Sequence, residues 1–139
     1  MSRSDGYTGH LFEEEVLGRC AATYRGYITF REAAELVRKN QPAKMRPAAE
    51  RLHLEVAKRF GKFAPAVKFY TAVRSALDVF HGVDGFFEFR GVVVTIDVTI
   101  NPNKVCGKAD LVVSGDDFED LPALAARIAR EFATKIRRG

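Results

Sequence analysis

Residues 83–110, V-D-G-F-F-E-F-R-G-V-V-V-T-I-D-V-T-I-N-P-N-K-V-C-G-K-A-D, constrain the fold of this chain more than any other stretch. From Val92 to Ile100 the even positions are Val92, Val94, Ile96, Val98 and Ile100, and the odd ones are Val93, Thr95, Asp97 and Thr99. Side chains alternate between faces along a strand, so this run has one apolar face and one that carries an aspartate between two threonines. A turn centred on Arg90-Gly91 sets Phe89 opposite Val92. Stepping down that ladder sets Asp84 opposite Asp97, with Cβ atoms roughly 4.5–5.5 Å apart. A slip of one residue would separate the two aspartates onto different faces. In register, two such like charges destabilise the pair unless a cation or a shared proton lies between them. The pattern therefore points to a divalent metal. Asp is also disfavoured inside strands, so Asp97 in so β-prone a run asks for a chemical reason.

At 139 residues the chain is read as one domain, 1–139, with a helical part over 1–80 and a hairpin, sheet and helix over 81–139. No run reaches the ~18 apolar residues of a membrane span, and the polar start M-S-R-S-D-G-Y is unlike a secretory signal. Cys20 and Cys106 form no C-x-x-C pair, which disfavours a disulfide framework or zinc site and makes the cytoplasm the expected compartment. Glycine-rich phosphate loops and a G-x-S-x-G elbow are absent, and His10, His53 and His81 lack zinc spacing.

The first eighty residues read as helices. Leu11 to Ala22 places Phe12, Val16, Leu17 and Cys20 at helical spacing. Thr29-Phe30-Arg31-Glu32 is a capping box that opens a helix to about Lys39. Pro47 suits the first turn of a third helix, with Ala49, Leu52, Val56 and Phe60 as its stripe. Ala66, Phe69, Tyr70, Val73, Leu77 and Phe80 suggest a fourth helix ending near Gly82, although Val67 to Val73 also suits a strand. Phe86–Phe89, Val92–Ile100 and Ala109–Ser114 are expected strands. The link 101–108 is too short for a helical crossover, so the last two are expected to be antiparallel. Leu121, Leu124, Ala125, Ile128, Phe132 and Ile136 define a final helix, acidic before its start and basic at its end. The expected class is α/β (α+β): N-terminal helices, a three-stranded, largely antiparallel sheet, and a C-terminal helix packed on it.

An aspartate opening one strand and a second acid on the next resemble the PD-(D/E)XK, or restriction-endonuclease-like, nuclease superfamily, carried here by G-V-D-G-F-F-E-F-R-G-V-V-V-T-I-D-V-T. The resemblance implies a restriction-endonuclease-like fold and hydrolysis of nucleic-acid phosphodiesters, DNA favoured over RNA. It also implies Mg²⁺ or Mn²⁺ as cofactor, held by Asp84 and Asp97. The family's lysine, two residues beyond the second acid, is Thr99 here, so Lys104 or Lys108 is the expected electrostatic partner. The family also places a helix between its third and fourth strands, which this chain lacks. Glu88, on the Asp84 face, is a candidate third ligand. Glu15, Glu50 and Glu55 are candidates for an acid supplied by a preceding helix, and His81 and Asp110 are weaker candidates for the site.

Charge adds a partner. Residues 36–79 hold ten Lys/Arg against three Asp/Glu, whereas 1–35 and 80–139 are each slightly acidic. Lys44, Arg46, Arg51, Lys58, Arg59, Lys62 and Lys68 in this segment form an expected phosphate track. The competing readings are a non-catalytic nucleic-acid-binding module, with a helix-turn-helix-like stretch from Tyr27, and an interaction protein. In the latter, the hairpin edge would pair with a second copy in a homodimer.

Overall fold

The computed structural model describes residues 11–100 and 107–138. A four-stranded mixed sheet lies between two helical layers. Its strands are β1 (Lys68–Thr71), β2 (Gly85–Phe89), β3 (Val92–Thr99) and β4 (Leu111–Ser114), in spatial order β1-β2-β3-β4. Helix α1 covers 11–17, followed by α2 (Phe30–Lys39), α3 (Pro47–Lys58), α4 (Ala76–His81) and α5 (Leu121–Arg138). Among the described residues, no helix is long and apolar enough to cross a membrane.

The hairpin has the alternation-derived register. Phe89 pairs with Val92 and Gly85 with Ile96, antiparallel throughout. Arg90 and Gly91 both take positive φ, 52° and 82°, as a tight primed turn requires. The Arg90 guanidinium spreads over the rings of Phe63 and Phe89, 4.5 and 5.1 Å from their centroids, which helps hold this unfavoured conformation.

Pleating divides the sheet between two cores. Phe87, Phe89, Val94, Ile96 and Val98 face α3 and α5, where they meet Leu52, Val56, Leu124, Ile128 and Phe132. Phe86 and Val93 face α2 and α4, against Ala33, Val37 and Leu77. Asp84 and Asp97 lie at positions that alternate with the first set and so belong to the α2–α4 face.

Three expectations are corrected. The sheet has four strands rather than three, because 66–80 is not one helix. Lys68–Thr71 pairs antiparallel with β2, and Arg74 at φ 76° breaks any helical path before Ser75 caps the six-residue α4. Strand β4 runs parallel to β3, with Ile96 beside Leu111 and Thr99 beside Ser114. It begins opposite the middle of β3. Last, α1 stops at Gly18 (φ 81°) instead of reaching Ala22.

Both hairpin strands are interior to the sheet, and side chains cover its margins. Gln41 gives and takes a hydrogen bond on the Thr71 backbone, at 3.0 and 2.9 Å. Where β3 extends beyond β4, Asp110 Oδ2 accepts from the Thr95 amide (2.8 Å) and Lys135 Nζ donates to the Val93 carbonyl (2.7 Å). Asp110 thus caps an edge.

Candidate metal centre

Asp84 immediately precedes β2, one of the two interior strands. Its carbonyl accepts from the Ala72 amide (2.8 Å) and its amide donates to the Ile96 carbonyl (2.9 Å), so its backbone is held from both sides. Its side chain is 2% exposed, and Oδ2 accepts from the Val98 amide at 2.8 Å. Asp97, on the adjacent strand β3, hydrogen-bonds with the Asp84 carboxyl.

Two further carboxylates come from helices. Ser75 caps α4 by accepting from the Leu77 amide (3.2 Å), and Asp78 in the first turn reaches back so that Oδ2 accepts from the Arg74 amide (2.8 Å). Gly82, left-handed at φ 69°, then reverses the chain and returns it as β2. That reversal places Asp78 over Asp84. Helix α1 supplies Glu13. Leu17, one turn on, is fully buried in the α3–α5 core, and Thr71 Oγ1 donates to the Gly18 carbonyl at 2.6 Å, tying the helix end to β1. An ion pair between Glu14 and the Arg74 guanidinium fixes the same helix to the β1–α4 connection.

One oxygen each from Glu13, Asp78 and Asp84 lies within 4.8 Å of the others. Burial, the charges of Asp78 and Glu13, and hydrogen bonds with Asp78 and Asp97 push the Asp84 carboxyl well above the ordinary carboxylate range. A hydrogen bond between two carboxyls requires a proton on one of them, so a shared proton offsets part of the mutual repulsion of these acids. The donor set fits a hard cation, because every ligand is an oxygen. Two oxygens on one Mg²⁺ at ~2.1 Å lie at most about 4.2 Å apart when opposite and about 3.0 Å when adjacent, so any pair in the triad that is wider than this must draw in as the cation binds.

The remaining expected residues are placed elsewhere. Glu88 shares the Asp84 face but lies four residues along, about 13 Å, where Arg38 holds both its oxygens (2.9 and 3.3 Å). A metal ligand shared with Asp84 is thus corrected to an ion pair. Of the expected helix acids, Glu15 and Glu50 are exposed and Glu55 pairs with Lys58 at 3.0 Å; the acid that arrives is Glu13. His81 Nε2 lies 2.8 Å from the Ile28 carbonyl. Lys104 lies outside the described residues, and Lys108 Nζ donates to the Phe80 carbonyl at 3.1 Å. The cation tied into the site is Arg74, through its amide on Asp78 and its guanidinium on Glu14.

The expected phosphate track is divided as well. Arg51, Lys58 and Arg59 belong to α3 and its end, across the sheet from the acids. Arg59 donates to the Pro122 carbonyl (2.8 Å), and Lys62 sits over the Phe63 ring, 5.4 Å from its centroid. Arg46 lies against Gly18 at the end of α1, and Lys44 is exposed just before it. Lys68 pairs in register with Glu88, on the acid face but far along it.

Asp78 and Glu13 escape a reading of periodicity because each sits on the polar side of an apolar stripe. Ser75-Ala76-Leu77-Asp78 nonetheless has the S-x-x-D form that starts helices, and that signal separates α4 from the strand before it. Compared with family models, curated proteins and solved structures, the chain matches none.

Proposed function

We propose that the chain is a divalent-cation-dependent phosphodiesterase of nucleic acid, DNA favoured over RNA, on a divergent restriction-endonuclease-like fold. The observation that carries this reading is the convergence of Glu13, Asp78 and Asp84 to within 4.8 Å, with Asp97 on the Asp84 carboxyl. The mixed sheet between helical layers, with Asp84 just before β2 and Asp97 on β3, supports the fold half of the proposal.

Glu13, Asp78 and Asp84 would hold Mg²⁺ or Mn²⁺, which supplies Lewis acidity toward a phosphate oxygen and a water acidified to hydroxide near neutral pH. The chain's own part is positional. The Arg74 and Val98 amides aim the Asp78 and Asp84 carboxylates, and the sheet holds Asp84 rigid. The Asp84 carboxyl, raised by burial and by the neighbouring acids, has to give up its proton when a cation binds. Affinity for the cation should therefore rise with pH.

The second reading is a nucleic-acid-binding module without catalysis. Thr99 stands in the lysine position of the family pattern, and the Lys108 ammonium is engaged by Phe80. One assay separates the two. Labelled single-stranded, duplex and branched DNA, and RNA, are incubated with Mg²⁺, Mn²⁺ or EDTA, using the native chain and Asp84→Asn. Cutting that needs the cation and disappears in Asp84→Asn supports the phosphodiesterase. Salt-sensitive binding without cutting supports the module, and cutting that survives EDTA refutes the metal mechanism.

A further inference from the structure

Residues 21–28 cross from α1 to α2 without regular structure, yet they are pinned along their length. The Ala21 amide donates to the Asn40 carbonyl (2.7 Å), the Tyr24 amide to the Arg74 carbonyl (3.1 Å), and the Ile28 carbonyl meets His81 Nε2 at 2.8 Å. Beneath this arch, against α2 and the first turn of α4, is a cavity of about 690 Å³. That volume falls within the roughly 300–1,000 Å³ of small-molecule sites.

Its rim is aromatic and open. Tyr24 and Tyr27 stand edge-to-face on Phe80, with centroids 5.9 and 5.7 Å away, and they remain 46% and 66% exposed. Neither ring contributes to a core. Arg25 lies between them in sequence and also lines the cavity, which adds a cation for an anionic backbone.

The cavity is coupled directly to the acids. Arg74 is in the left-handed region at φ 76°, with its carbonyl on Tyr24 and its amide on Asp78. For a non-glycine residue that conformation is unfavourable, and it persists only where the surroundings enforce it. Here its own amide and carbonyl are bonded to the two features in question. Helix α4 joins them a second time, presenting Asp78 to the acids and Phe80 to the tyrosines.

We propose that this cavity binds an unpaired nucleobase of the strand whose phosphate lies at the acid cluster, with Tyr24 and Tyr27 stacking on bases and Arg25 contacting the backbone. The substrate is then a single-stranded or frayed polynucleotide rather than an intact duplex, whose bases are already stacked and paired. The inference rests on the phosphodiesterase reading for the placement of the phosphate. The pocket for the base stands on its own geometry.

The test is binding in EDTA, where no cutting intervenes. End-labelled oligo-dT, oligo-U, an abasic strand of equal length and a duplex are titrated by fluorescence anisotropy. The chain has no tryptophan, and Tyr24 and Tyr27 are two of its four tyrosines, so quenching that the Tyr24→Ala and Tyr27→Ala variants lose reports on these rings. Oligo-dT or oligo-U should bind more tightly than the abasic strand and the duplex, and should quench the emission. Base–aromatic stacking predicts that Tyr24→Ala and Tyr27→Ala each weaken that binding about 5- to 150-fold, leaving abasic binding unchanged and the fold intact by circular dichroism. Tyr27→Phe should bind like the native chain. Equal affinity for abasic and base-bearing strands, or unaltered affinity in both alanine variants, overturns the proposal. A chain that binds bases in EDTA but never cuts refutes the phosphodiesterase and leaves the base pocket standing.

Discussion

Replacing Asp84 by asparagine should stabilise the metal-free protein at neutral pH and abolish its response to divalent cations. The side chain is 2% exposed, and the asparagine carbonyl can still accept from the Val98 amide, so the change removes a charge while keeping the buried hydrogen bond. Burial and the Asp78 and Glu13 charges raise the Asp84 carboxyl above its ordinary value of 3.8. A raised acid costs nothing below its unfolded value, where both states are protonated. The cost grows as pH climbs from there through the folded value, because the native state keeps a proton that the unfolded state releases. Each unit of that displacement is about 1.36 kcal/mol. A cation at a hundred times its Kd returns about 2.7 kcal/mol. For a domain of this size, at ~4 °C per kcal/mol, the native chain should melt about 10 °C higher with Mn²⁺. Melting curves at pH 5 and pH 8, in EDTA and in Mn²⁺, measure all of this. Asp84→Asn should gain on the native chain between pH 5 and pH 8 in EDTA and show no Mn²⁺ increment. The reasoning is refuted if the variant melts lower than the native chain in EDTA at pH 8, or if it keeps the increment.

Three other outcomes follow from the same geometry. Gly85→Ala should cost about 1–3 kcal/mol in urea unfolding, since the new Cβ would meet Phe69 Cζ at 3.0 Å and the Tyr70 carbonyl oxygen at 3.1 Å in a packed sheet. Asp110→Ala should also cost about 1–3 kcal/mol, because it strips the partner from the part-buried Thr95 amide and from the Lys135 ammonium 2.6 Å away. Arg74→Gly relieves the left-handed strain but loses the Glu14 pair. It should change stability by less than about 1 kcal/mol, since the two effects oppose each other, while weakening Mn²⁺ affinity measured by calorimetry.

What was legible in the sequence was whatever one periodicity fixes. Alternation from Val92 to Ile100, together with a tight Arg90-Gly91 turn, led to the Phe89–Val92 register. The stripe Leu124, Ala125, Ile128 and Phe132 led to the buried face of α5, and Thr29-x-x-Glu32 to a capping box with both reciprocal bonds present. The rest depended on tertiary placement. Phe69, Tyr70, Val73 and Leu77 satisfy helical and strand spacing at once, and pairing with β2 decides for β1. The direction of β4 is set by where it joins β3, which no local pattern records. Register carried Asp84 and Asp97 onto one face of neighbouring strands, with the ladder ending at Gly85 and Ile96. It could not place Glu13 and Asp78, because they reach the site only through the docking of α1 at Gly18 and the reversal at Gly82.

The most direct test of the central claim is to locate bound Mn²⁺. Crystals of the native chain grown with Mn²⁺ near pH 8 should give one anomalous peak bounded by Glu13, Asp78 and Asp84, about 2.1–2.2 Å from an oxygen of each, and Asp84→Asn crystals should lack it. Native crystals in which these three carboxylates hold no peak, while Mn²⁺ is bound elsewhere or not at all, would contradict the account.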